Sequence, residues 1–272
     1  MMVTLRHLFV FVLALLLAAI VPVAAWAATY ELSPTMKTAF DKMAADDGKL
    51  RGKLTEQYGE IIALQQKDID MEAAIKSLHY RNEEAETIIR KQIKLIDADK
   101  LDKLKKDVEQ TKARYKPLLD SYTAVNKQVA AARSLKNKDL SAIFRMQAES
   151  MKIAVQLAKQ DMKGKEAALK KAKDAAASAQ KKISAMLEDI RPHETKIKAE
   201  KSAASNVKKS VASGWKSFTP LVKAGSAKPA SDSLANLVSQ FRQIVSHKQN
   251  ILNLEGKIEG ILTKAKAQLP SS

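Results

Sequence analysis

From Phe144 to Phe218 two interleaved rows of mostly apolar residues recur every seven positions. One row reads Phe144, Met151, Ala158, Lys165, Ala172, Ala179 and Met186. The other reads Ala148, Val155, Met162, Leu169, Ala176, Ile183, Ile190, Ile197, Ala204, Val211 and Phe218. Alternating steps of three and four keep both rows on one side of a helix, because 3.5 residues is nearly one turn. Lys, Glu, Gln and Asp fill the positions between, as a solvated outer face requires. A chain with this pattern has to hide its stripe against another helix. The prediction is an all-α fold: an elongated antiparallel helical bundle or coiled coil of long helices folded back on each other, with a C-terminal helix after a linker. Composition agrees. Only 8 Gly, 7 Pro and 5% aromatics, beside abundant Ala, Lys, Leu, Glu and Gln, suit a thin core along an axis.

Residues 1–27 read differently. Arg6 precedes an uncharged apolar run from Leu8 to Ile20, Pro22 breaks it, and Ala25-Trp26-Ala27 offers the small-x-small site of a signal peptidase. Cleavage after Ala27 is expected; the alternative is retention as a membrane anchor, for which Leu8 to Ala28 is about long enough. The chain has no cysteine. Disulfides, thiolate metal sites, a cysteine nucleophile and a lipoprotein anchor are thereby excluded. The expected location is secreted or extracytoplasmic, in association with the cell envelope.

Ser33 or Thr35, with Pro34, starts a helical pattern that runs to about Ile96. Its seam carries the polar residues Asp47, Gln57, Asp68 and Asn82, either to fix register or because the seam is only half covered. The phase slips near residues 97–100. Pro117 predicts a break at about 116. Ser134 to Ser141 reads as a turn, with Asn137 or Asp139 capping the next helix and folding it back as an antiparallel hairpin. Pro192 reads as a kink or one-residue restart rather than a domain boundary, because the apolar phase survives it. Residues 28–218 thus form the long-helix region and 219–231 the linker. A final helix, 232–268, is expected to begin at a Ser231 or Asp232 cap; its broad stripe suits a groove between two helices.

Charge is uneven. Residues 37–110 hold 15 basic and 16 acidic residues, whereas 111–230 hold 26 and 10, an excess of 16 positive charges. Lys163, Lys165, Lys170, Lys171, Lys173, Lys181, Lys182, Lys208 and Lys209 mark a candidate polyanion-binding face. Its expected ligands are anionic wall polymers or lipid headgroups, held by diffuse attraction. Without aromatic residues interleaved for stacking, no specific nucleic-acid binding is expected. The competing reading is a solvated face that keeps the chain soluble. Trp215 and Phe218 are either a plug at the end of a bundle or a docking patch.

No Gly-x-Ser-x-Gly, phosphate loop or His-Glu-x-x-His motif occurs. The sequence therefore predicts no catalytic, cofactor or metal site, and no cofactor. The expected function is that of an exported, non-enzymatic coiled-coil structural or interaction protein of the bacterial cell envelope. Its partners would be other helices, with homo-oligomers among them. The alternatives are a holdase-type extracytoplasmic chaperone or a helical toxin component.

Overall fold

A computed structural model describes residues 30–270, so the leader reading and its cleavage site lie outside the described residues. The chain is an all-α helical bundle with no strand among the described residues. Its helices are α1 (Pro34–Lys42), α2 (Gly48–Lys94), α3 (Ala98–Ser134), α4 (Lys138–Glu188), α5 (Ile190–Lys223) and α6 (Ala227–Ala267). None of them is long and apolar enough to cross a membrane.

Local chemistry explains most boundaries. Ser33 caps α1 by accepting from the Met36 N–H, with Pro34 at the first helical position. The predicted first helix is interrupted at residues 43–47. There Asp47 accepts from the N–H groups of Lys49 and Leu50, so this seam position is a helix cap. The phase slip is a turn at residues 95–97, with Asp97 in the left-handed region (φ 56°). α3 closes with a Schellman pair: Asn137 N–H donates to Ala132 O and Lys136 N–H to Arg133 O, with Lys136 at φ 55°. Asn137 then caps α4 through the Leu140 N–H, as its side chain predicts.

Proline positions produce two corrections and one agreement. The expected break near 116 does not occur: α3 runs through Pro117. Pro117 and Ala113, whose carbonyl would otherwise receive the missing N–H, are both exposed, so water can take the freed acceptor. At Pro192 the missing N–H deprives the Glu188 carbonyl, and the helix is interrupted only at Asp189 before resuming at Ile190, the expected one-residue restart. The expected linker 219–231 is a three-residue turn, 224–226. α5 continues through Gly214 and Pro220, and its Schellman end places Gly225 at φ 63°, with Ser226 N–H donating to Leu221 O and Gly225 N–H to Val222 O. α6 then starts at Ala227, not at a Ser231 or Asp232 cap. Pro229 lies in its first turn, where N–H groups have no intrahelical acceptor.

Two compact units divide the chain at 76/77, 196/197 and 252/253, so one division falls five residues beyond Pro192, inside α5. The first unit holds residues 30–76 and 197–252. Its core joins Phe40 and Ala44 to Leu54 and Ile61 of α2, Val211, Phe218 and Val222 of α5, and Ala230, Leu234, Leu237, Val238, Phe241 and Ile244 of α6. α6 runs parallel to α2 here: Ser231–Gln57 and Lys248–Asp68 are hydrogen bonded at sequence separations of 174 and 180. The second unit holds residues 77–196 and 253–270. In it α3 and α4 form the expected antiparallel hairpin, crossed by Lys112–Glu166 (2.5 Å), Lys165–Asp107 (2.8 Å) and a hydrogen bond from Tyr115 to Asp161 (3.0 Å).

Glycine substitutions separate close packing from open helix surface. A Cβ on Gly52, Gly59 or Gly164 would meet nothing within 4 Å, whereas on Gly214 it would lie 2.9 Å from Leu237 Cδ2 in the core. Gly52→Ala and Gly164→Ala should each stabilise the chain by about 0.5–1 kcal/mol through helix propensity. Gly214→Ala gains the same propensity but overpacks, for a net loss of about 1 kcal/mol. Urea unfolding midpoints moving in opposite directions would verify this.

Candidate interaction surfaces and buried polar centres

The nine lysines of the predicted face do not form one patch. Lys165 sits on the buried row and pairs with Asp107 of α3, and Lys208 pairs with Asp68 at 2.9 Å. Both are therefore spoken for inside their own units, a correction to their assignment to a free cationic face. Lys182 donates to the Gln268 side chain at 2.8 Å. Lys209 belongs to the first unit, where it borders a polar groove of about 1180 Å³ with Ser213, Ser217, Asn236 and Gln243.

The remaining five, Lys163, Lys170, Lys171, Lys173 and Lys181, are exposed, and none has an ion pair among the described residues. Lys163, Lys170 and Lys181 lie seven and eleven residues apart, close to two and three whole turns. They therefore align on the side of α4 opposite the buried Ala172 and Ala176. The nearby acidic residues Glu166 and Asp161 turn toward Lys112 and Tyr115 of α3. Asp174, exposed and four residues beyond Lys170, lies on the same side, so the cationic ridge carries one carboxylate among its lysines.

Trp215 and Phe218 lie in an aromatic cluster of the first unit. Phe218 is fully buried, with its ring 6.3 Å from Phe40 and 5.3 Å from Trp215. Trp215 is half-buried, edge-on to Tyr30 at 5.6 Å and stacked with Tyr58 at 6.5 Å. Phe218 is thus inaccessible to a partner, and the pair has the packing of a plug rather than of a docking patch. The N-terminal lead is held over the cluster by hydrogen bonds from Tyr30 N–H to Gln65 and from Leu32 N–H to the Tyr58 hydroxyl.

Two buried polar centres escaped sequence reasoning. In the first unit, Lys248 is 3% exposed, and its ammonium lies 2.5 Å from Asp68 Oδ1, 2.8 Å from Glu72 Oε2 and 2.7 Å from the Asp68 carbonyl. Burial alone would raise the Glu72 carboxyl. The Lys248 hydrogen bond and the charges of Lys248, Lys208 and Lys76 outweigh it and hold the group below its ordinary value. In the second unit, the fully buried Glu255 is bonded by two side chains of α2: Asn82 Nδ2 donates to its Oε2 (2.9 Å) and to its backbone carbonyl (3.0 Å), and His79 Nδ1 lies 2.9 Å from Oε1. These groups satisfy one another, as buried polar atoms must. Gln57, Asp68 and Asn82, which the sequence places on the seam, are thus each bonded to α6. No three His, Asp or Glu side chains gather as metal ligands would among the described residues. No protein-family model, curated protein or solved structure matches the chain.

Proposed function

We propose that the chain is an exported, non-enzymatic interaction protein of the bacterial cell envelope that holds anionic polymers on the cationic ridge of α4. The observation that carries this reading is the alignment of Lys163, Lys170 and Lys181, exposed and without an ion-pair partner among the described residues. Lys171 and Lys173 flank the ridge. The leader pattern in residues 1–27 supplies the export half of the reading. Lysine ammonium groups on flexible stems suit a repeating phosphate polymer, where density of charge matters more than bidentate geometry.

The test is retention on purified wall polymer or polyphosphate as salt rises. Engagement of three phosphates predicts a drop of roughly fortyfold in binding constant between about 50 and about 200 mM salt, using the counterion-release slope of a phosphate duplex. The triple variant Lys163→Glu, Lys170→Glu, Lys181→Glu should lose retention while keeping its helical circular dichroism. Retention that is insensitive to salt, or unchanged in the triple variant, rejects the proposal.

A further inference from the structure

α4 carries a second apolar stripe that none of the described residues covers. Its buried side, including Ser141, Ala148, Val155 and Ala158, is packed away from solvent. On another side, Leu140, Ile143, Met146, Ile153 and Leu157 are between 43% and 71% exposed. With the exposed Ser150 they are spaced by three, three, four, three and four residues, the interval of a helix seam. The stripe belongs wholly to the second unit. A helix of a globular protein normally needs one apolar face, so two such faces on one stretch imply two helical neighbours.

The order of the side chains identifies the second neighbour. Read outward from residue 148, the stripe is nearly the same in both directions: Met146 and Ser150, then Ile143 and Ile153, then Leu140 and Leu157. A two-fold interface requires a surface that complements itself. Antiparallel apposition of two copies of α4, with the axis at residue 148, would set Ile143 on Ile153 and Met146 on Ser150 across the contact, with Leu140 and Leu157 one residue out of register. The smallest residue then faces the longest and most adaptable one. Glu149, nearest the axis, is held by Lys152 of its own helix at 3.4 Å, so two unpaired carboxylates would not meet there. The five exposed side chains amount to roughly 500 Å² of apolar surface a copy, or roughly 1,000 Å² for the pair. That is the size of the largest patch on a typical monomer, which is often functional, and the pair reaches the roughly 1,000 Å² that a specific interface has to clear.

We infer that α4 docks antiparallel on α4 of a second copy of this chain, making a homodimer through residues 140–157. The inference is independent of the lysine ridge, which lies further along the same helix. Sedimentation velocity of the full chain at micromolar concentration should give a dimer. Ile153→Glu, which enters the contact twice by symmetry, should raise the dissociation constant by at least about a hundredfold. Its helical circular dichroism and melting temperature at dilution should remain unchanged, since Ile153 is exposed in the single chain. Because the chain has no cysteine, the double variant Met146→Cys, Ser150→Cys should form a covalent dimer on mild oxidation. A monomer at every accessible concentration overturns the inference. So does self-association that survives Ile153→Glu but disappears when residues 1–27 are removed, which would assign it to the apolar leader. Binding of the monomer to lipid vesicles through this stripe would also overturn it, with a membrane as the occupant.

Discussion

Lys248→Met should cost about 3 kcal/mol of stability at neutral pH. Removing one partner of a buried ion pair typically costs about 3–5 kcal/mol, because the other charge is left without compensation. Here the orphans are Asp68 and its backbone carbonyl, while Glu72 is half-exposed and can turn to water. Lys208 remains 2.9 Å from Asp68, which places the loss at the lower end of that range. Acid unfolding supplies an independent check with a definite sign. The Glu72 carboxyl is depressed in the folded chain, so its contribution is complete above its unfolded value of about 4.3 and is lost as pH falls through the folded value. Wild type should therefore lose stability below about pH 4, and Lys248→Met should show a shallower loss over the same range. Superimposable acid limbs in urea titrations would remove Lys248 from that account.

Phe218→Ala should cost about 4 kcal/mol, the usual toll of emptying a fully buried aromatic site that cannot collapse. Val211, Val222 and Leu237 surround the same core and are themselves at most 1% exposed, so little material is free to fill the hole. The expected loss in melting temperature is roughly 10 °C. Trp215→Ala should cost less, since its ring is half-buried and its gain comes from edge and stacking contacts with Tyr30, Tyr58 and Phe218. An unchanged melting temperature for Phe218→Ala, together with lost association with the envelope, would restore the docking role that the burial of Phe218 argues against.

Sequence periodicity identified the faces of the helices but not their neighbours. The row from Ala148 to Phe218 is buried at every position except Met162 and Leu169, which are half-buried. A step of 3.5 residues survives the lapse at Asp189, which is why Pro192 could be read correctly. Pro117 could not: a helix-interior proline costs about 3 kcal/mol, and whether the packing of the helix outweighs that cost is a tertiary property. Capping chemistry was readable at Ser33 and Asn137, whose partners are three residues away. It failed at Ser231, which is turned inward to hydrogen bond Gln57, 174 residues distant. The partners Lys248 and Glu255 lie beyond any local pattern for the same reason. The second stripe of α4 was hidden by abundance. Between residues 140 and 157 apolar side chains occupy most of the helix circumference, and choosing the strongest seam concealed the other.

The polar contacts between α2 and α6 also dictate how these parallel helices can err. Were α6 to slide by two turns toward the end of α2, Lys248 would leave Asp68 for Ile75 and Ser231 would leave Gln57 for Leu64; sliding the other way would bring them to Ile61 and Leu50. An apolar stripe alone tolerates either displacement, because its side chains repeat every seven residues. A buried ammonium does not, since each misplaced alignment strands it among hydrocarbon at a cost of several kcal/mol. The chain thus carries its own proofreading against slippage, and chains that misalign while folding should come apart and try again rather than persist as a trapped population.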